Sequence, residues 1–349
     1  MLLMTVRRWS RITVSLLLFS LLTWPAASFA QKSQVPSFSG QATVVGATVL
    51  NLPPIVIADT GPLPSSGGAL EASLLETGPL DLGGVGSLQA SVLHATTIGQ
   101  GDRSRSEASV ADLDLAVAGN TISANFLMSR ALAACSPGGA FTSGDSVIAG
   151  LVINGQQIVV SGSPNQTVAL PNGAGSVTIN EQIQPSSTSS GTREITVNAL
   201  HVVVNGVADV VIASSHADIV CRGGADCTSN KDFVTGGGWI IAPSGDRGTF
   251  GVAGGIKNSA FWGHLTYIDH GTKMKLKGTG VTAYVIVNPT TRRIEGTCEI
   301  NGVSATYRVT VSDNGEPGRQ DSFTLELSSG YFATGNLDGG NIQLHTPCK

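Results

Sequence analysis

"DFVTGGGWII", residues 232–241, sets three consecutive glycines between a Val-Thr pair and a tryptophan. A phosphate-cradling loop would need those glycines between a strand and the N-terminus of a helix. Here Gly236–Gly238 run straight into Trp239, Ile240 and Ile241, which continue a strand. The next cluster, "GTFGVAGG" (248–255), also leads into strand-like residues, and neither has dinucleotide-binding spacing. Glycines inside strands mark bulges, bends or close backbone approach, and a neighbouring tryptophan can cover the space they vacate. The stretch therefore reads as bends in a tightly curved sheet, and no cofactor-binding residue is expected.

The flanking chain has the same period. "DLDLAV" (112–117) places Leu113, Leu115 and Val117 on one face and Asp112 and Asp114 on the other. "YRVTVSD", "FTLELSS" and "KMKLKG" alternate likewise, and no segment sustains a 3.6-residue period. Asn-Gly pairs at 154–155, 205–206 and 301–302 separate such runs. Both residues tolerate the positive φ of a tight hairpin turn. The expectation is an all-β chain of antiparallel strands. Residues 59–90, rich in Gly, Pro and Ser, read as a long loop with one short helix near 69–76, and "PSSTSSG" (185–191) as a loop between strands.

The first thirty residues form a leader pattern: Arg7, Arg8 and Arg11, the apolar run "ITVSLLLFSLLTW" (12–24), then small residues ending at Ala30. Cleavage there leaves Gln31 first, with no cysteine after the cut to carry a lipid. No later apolar stretch is long enough to span a bilayer as a helix. The chain is expected to be secreted, with no membrane insertion once the leader is removed.

Composition then divides the rest. Residues 31–220 carry thirteen acids and five bases, with no Trp or Tyr. Residues 222–349 carry eleven acids and twelve bases, and hold Trp239, Trp262 and all four tyrosines. Neither balance is an electrostatic footprint for nucleic acid. The polar junction 221–231 reads as a linker. Two antiparallel β domains are expected: a sandwich-like module over 31–220 and a compact barrel or sandwich over 232–349.

The motifs also resemble a known arrangement. "SFSGQATVVGATVL", "DTGPLPSSGGALEASLL", "GLVINGQQIVVSGSPNQTVALPNG" and "ITVNALHVVVNGVADVVIASSHADI" resemble the choice-of-anchor P family of bacterial extracytoplasmic domains. "DFVTGGGWI", "GTFGVAGGIKN", "WGHLTYIDHG" and "RRIEGTCEING" resemble the post-COAP domain that commonly follows it. The resemblance implies an exported β-rich module of unknown activity, with no catalytic residues to carry over. Members of that family end in varied anchoring segments, whereas this chain stops at "NIQLHTPCK" without a hydrophobic tail, so release is the simpler reading.

No complete catalytic constellation is legible. "GDSVIAG" (144–150) starts like the nucleophile block of GDSL-type hydrolases, but none of the six histidines has Asp three positions before it. Ser146 reads instead as a residue at the start of a strand. His264 and His270 share strand parity, yet lie about 20 Å apart on a straight strand, too far for one ion. No metal set is expected. His201 reads as a satisfied strand residue. Asp313, Asn314, Glu316 and Asp321 could gather calcium, but the Asn-Gly and Pro-Gly pairs favour a hairpin turn. Trp239, Trp262, Tyr267 and Tyr331 are candidate ligand-binding aromatics, with core packing the favoured reading.

Five cysteines in an exported chain leave one over. Cys135 and Cys221 both belong to the first domain, and Cys227 and Cys348 bracket the second. The pairings expected are 135–221 and 227–348, with Cys298 a buried thiol on the inner face of "RRIEGTCEI". The leading function is a non-catalytic extracellular module, structural or adhesive, acting on a cell-surface or matrix partner. A carbohydrate- or protein-binding module using the aromatics comes second, and a secreted hydrolase is the remote third.

Overall fold

Strand periodicity governs the structure as it does the sequence. The computed structural model describes residues 36–185, 191–221 and 231–346. The leader, most of the 185–191 loop, residues 222–230, Cys227 and Cys348 lie outside the described residues, and so does the 227–348 pairing. Among the described residues there is no α-helix, only one 3-10 turn at Pro171–Gly173, and no helix long and apolar enough to cross a membrane.

The first fourteen strands are β1 (Ser37–Val49), β2 (Ile55–Asp59), β3 (Gly68–Glu76), β4 (Leu80–Asp81), β5 (Gly86–Gln100), β6 (Arg103–Val117) and β7 (Asn120–Ser136), followed by β8 (Gly139–Ala149), β9 (Val152–Ile153), β10 (Gln156–Gln157), β11 (Gln166–Ala169), β12 (Gly175–Ile183), β13 (Thr192–Val204) and β14 (Ala208–Val220). They form two antiparallel sheets. The first has the order β11-β12-β13-β14-β1-β2, and the second β10-β9-β7-β6-β5-β3, with β8 also on β7 and β4 on β5. Residues such as Val44, Leu93, Leu113, Leu127, Val202 and Ile212 fill the space between them. This is a sandwich whose core is aliphatic because its strands supply almost nothing else.

The remaining strands are β15 (Phe233–Ile241), β16 (Arg247–Lys257), β17 (Ala260–Asp269), β18 (Met274–Asn288), β19 (Thr291–Ile300), β20 (Val303–Ser312), β21 (Ser322–Leu327), β22 (Phe332–Asn336) and β23 (Gly339–His345). They make one antiparallel meander, with β23 returning to the far side of β15, curled into a half-barrel. Its core sets aromatics among aliphatic residues: Phe250 and Phe323 stack with centroids 4.0 Å apart, and Tyr267 lies parallel to Phe323 at 5.9 Å. No strand is shared between the two groups, so sheet membership changes where the composition does. We expect residues 31–221, whose aliphatic core is complete within that segment, to melt cooperatively when expressed alone. A β-type circular dichroism spectrum and a sharp melt would show this; a disordered product would not fit.

The third sheet packs on the second, which is therefore covered on both faces. This explains the near-continuous buried run Val92–Gly99 in β5. Leu93 and Ala95 point into the sandwich, while Val92, His94 and Ile98 meet the third sheet.

Here the three opening glycines find their use. A Cβ on Gly236 or Gly238 would lie 2.5 Å from a backbone carbonyl oxygen of Asn341 or Gly339. These two let β23 approach closely, and β15 keeps unbroken register with β16 and β23 through them, without a bulge. A Cβ on Gly237 would lie 2.4 Å from Ser109 Oγ in β6, so the middle glycine serves contact between sheets.

Two expectations need correction. Residues 69–76 are not helical: β3 pairs with β5 from Gly68 opposite Gly99 to Glu76 opposite Ser91. The buried backbone groups of β5 require partners, and that requirement overrides the helix propensity of Ala, Leu and Glu. Likewise 59–90 is not one loop, since it also holds β4 and the start of β5. The Asn-Gly turns all connect antiparallel neighbours. At Asn154-Gly155 and Asn301-Gly302 both residues have positive φ, whereas at 205–206 only Gly206 does and the loop is one residue longer.

Cys135 and Cys221 are joined, with Cα atoms 5.7 Å apart, fastening the end of β7 in the second sheet to the end of β14 in the first. Cys298 is an unpaired thiol, 2% exposed, and burial pushes it up from its ordinary range.

Candidate functional site

The chemically distinctive residues collect between the second and third sheets. Strand alternation sends Glu107, Ser109 and Ala111 of β6 toward the third sheet, and Ala108 and Val110 into the sandwich. An apolar patch anchors the contact, with Trp239 against Phe126 at 4.9 Å between centroids. Around it lie two polar clusters.

In the first, Glu71 and Ser73 share a face of β3 because they are two residues apart, and Ser73 stands opposite His94 of β5 in the ladder. His264 of β17 meets them from the third sheet. Gly251 makes room, since a Cβ there would lie 2.9 Å from His94 Cβ. Ser73 Oγ donates to Glu71 Oε1 at 2.7 Å and lies 2.9 Å from His94 Nδ1. His264 Nδ1 is 2.9 Å from Glu71 Oε1, close enough for an ion pair, but too poorly aligned for a hydrogen bond. Three buried ring nitrogens therefore lack a hydrogen-bond partner: His94 Nε2 and both nitrogens of His264. Each such group costs about 1–3 kcal/mol when left unsatisfied. Burial, then the charge of His264, pushes His94 down to about 3. Burial raises Glu71, but the nearby His264 and His94 and the Ser73 hydroxyl outweigh it and lower the carboxyl. Ligand atoms of Glu71, His94 and His264 all lie within 4.8 Å of one another.

The second cluster is a cleft of about 420 Å³ lined by Arg105, Glu107, Arg130, Asp145, Glu316 and Gln343. Arg130 grips Asp145 through two nitrogens and donates to Glu316 Oε2 at 2.6 Å. Glu107, 9% exposed, accepts from Asn341 Nδ2 at 3.0 Å. Burial pushes its carboxyl up to about 7, opposed by Arg130 and reinforced by Glu316.

The folded state therefore holds a proton between about pH 4.5 and 7 that the unfolded chain releases. Stability falls as pH rises through that window, by up to about 3 kcal/mol above it. Glu107→Gln is expected to stabilise the protein at pH 8 and much less at pH 4.5. Urea melts at the two pH values check this, and equal effects at both would contradict it.

The expected ligand-binding aromatics are not brought together as one platform. Tyr267 is fully buried, and Tyr331 donates to Asp269 Oδ2 at 3.0 Å, so its oxygen accepts from Tyr267 at 2.8 Å. Trp239 is occupied by Phe126. Trp262 packs edge-on against Phe233 and lines a mainly apolar groove of about 260 Å³ with Pro64, Leu70, Ile256 and Lys257.

Asp313, Asn314 and Asp321 build the turn between β20 and β21. Asp321 accepts from the amides of Asn314 and Ile342, and Asp313 from those of Gly315 and Leu344. These carboxylates hold backbone rather than converge as a calcium cage.

Ser146 lies within β8 opposite Ser129, not at the start of a strand. His201 sits between Glu181 at 3.0 Å and Asp209 at 2.9 Å; burial lowers its pKa, but the two carboxylates outweigh this and raise it. His270 bonds Thr249 and pairs with Asp112, apart from His264. His216 and His345 are bonded to Thr196 and Thr235.

The Glu71–His94–His264 cluster had no local signal, because its residues lie on three strands distant in sequence. The one readable hint was a histidine, His94, inside an otherwise apolar and small-residue run, "SVLHATTIG".

No family model matches the chain, and no curated protein matches it. Among solved structures, one from Nitrosomonas europaea, assigned provisionally to AttH, is similar over 88% of this chain and 92% of its own, at 8% identity and a TM-score of 0.20. A likeness at that score carries no argument about what the protein does.

Proposed function

We propose that the chain is an exported, non-catalytic module of choice-of-anchor P type, structural or adhesive outside the cell. The observation that carries this reading is the employment of the six histidines. Each lies in a β framework against hydroxyl or carboxylate partners, and none is paired with Ser146. A nucleophilic hydroxyl needs a base in contact. The leader pattern and the Cys135–Cys221 bridge agree with an oxidising compartment.

A second reading, a module that binds a glycan or protein segment, draws on the groove beside Trp262, where a half-buried indole borders open apolar space. Purified mature chain and its Trp262→Ala variant, applied to a glycan array and to whole cells, separate the two. Cell binding that survives Trp262→Ala fits the structural or adhesive module. Saturable glycan binding lost in that variant fits the binder. Ester hydrolysis that disappears in Ser146→Ala would overturn both.

A further inference from the structure

We propose that Glu71, His94 and His264 form a binding site for one first-row divalent transition-metal ion, best matched by Zn²⁺, which ties the second sheet to the third. Two imidazoles and a carboxylate form the donor set, with their ligand atoms within 4.8 Å of one another. Imidazole nitrogen suits zinc and its neighbours, whereas calcium and magnesium take oxygen ligands. Three protein ligands leave a tetrahedral ion one further position for water.

Proton bookkeeping supports the assignment. Ser73 has one hydroxyl proton, and it goes to Glu71 Oε1, which as a carboxylate can only accept. Ser73 Oγ must then accept from His94, so the His94 proton sits on Nδ1. Nε2 is left as a bare lone pair, in a side chain 2% exposed, with no donor to meet it. This is the arrangement of a ligating histidine whose far nitrogen is fixed by an orienting partner. Ser73 orients two ligands at once. His264 adds buried nitrogens that make no aligned hydrogen bond. The Glu71 and His264 side chains keep 14% and 17% of their surface exposed, so an ion can reach the cluster from that side. Cys298, the free thiol among the described residues, is buried in the separate core of the third sheet and does not compete.

Glu71 and His94 belong to the segment before residue 221, and His264 to the segment after it. A bound ion would therefore join the two parts of the chain directly. This inference does not rest on the proposed function and survives if that reading fails.

The test uses the chelator-treated mature chain. Zn²⁺ titrated by calorimetry should bind at one ion per chain and raise the melting temperature. Co²⁺ should give visible absorption bands of four-coordinate intensity. In long-range ¹H–¹⁵N spectra, His94 should show its proton on Nδ1, and the Nε2 signal should shift on zinc addition. His264→Gln and Glu71→Gln should weaken binding more than the roughly 10–100-fold expected of the orienting Ser73→Ala, while His201→Gln leaves it unchanged. Circular dichroism confirms that each variant is folded. If His94→Gln fails to fold, the His264→Gln and Glu71→Gln titrations decide. Absence of binding at one ion per chain, or binding unaltered in both of those variants, overturns the site.

Discussion

Replacing both bridged cysteines, as Cys135→Ala with Cys221→Ala, is expected to lower the stability of the protein by about 4–5 kcal/mol. The bridge spans 86 positions in sequence, and closing a loop of that size removes chain entropy worth roughly that amount from the unfolded state. Native geometry subtracts little, because a Cα separation of 5.7 Å falls in the middle of the range disulfides adopt. The bridge also has a local task. It joins the end of β7 to the end of β14 across the sandwich, beside Phe38, Ala133, Ile195 and Ile219. Urea melts of the oxidised protein and the double variant measure the effect. A difference below about 1 kcal/mol would mean that the unfolded chain is already held compact there, contrary to the chain-entropy account.

Arg292→Ala is expected to cost about 3 kcal/mol, the low end of the scale for breaking a buried ion pair on one side, because Asp232 keeps 20% of its side chain exposed. Arg292 is 3% exposed and meets Asp232 through two nitrogens, at 2.7 and 2.6 Å. Its Nη1 donates to the carbonyls of Asn288 and Thr291. Asp232 also accepts from Tyr284 at 2.5 Å, so one carboxylate immediately before β15 is gripped by both β18 and β19. Losing the guanidinium leaves that carboxylate without its counter-charge and removes one donor from each of the Asn288 and Thr291 carbonyls. The double variant Asp232→Ala/Arg292→Ala should cost well under the sum of the singles, because each single already forfeits the shared interaction. Additive effects would show that the two residues act separately.

Much of the architecture was legible because the signals were local. Alternation in "DLDLAV" and its kin marked strands, and the three Asn-Gly pairs marked connections between antiparallel neighbours. Cysteine positions relative to the compositional break picked out 135–221. The burial of Cys298 followed from alternation alone, since Ile294, Gly296 and Cys298 fall on one face. The misreading at 69–76 has the opposite origin. "ALEASLLE" carries enough Ala, Leu and Glu to suit a helix, and only the need of the buried β5 backbone for hydrogen-bond partners makes it a strand. The aromatics were readable as core candidates, but which of them would be buried was not. Tyr267 ended inside the half-barrel and Trp262 at a groove because the curl of the sheet, rather than residue type, sets which face turns inward.

The amino-acid sequence by itself determined the strand period, the turn positions, the change of character near residue 221 and the choice of cysteines for the first bridge. Each is a property of neighbours along the chain or of composition. Tertiary structure alone decided that the second sheet would be covered on both faces, that Gly237 and Gly251 would admit side chains from across the gap, and that Glu71, His94 and His264 would meet. Those residues are 23 and 170 positions apart and sit on strands of two different sheets. No periodicity within a strand encodes a contact between faces of separate sheets. That contact exists only once both sheets have formed and their small residues allow the backbones to approach.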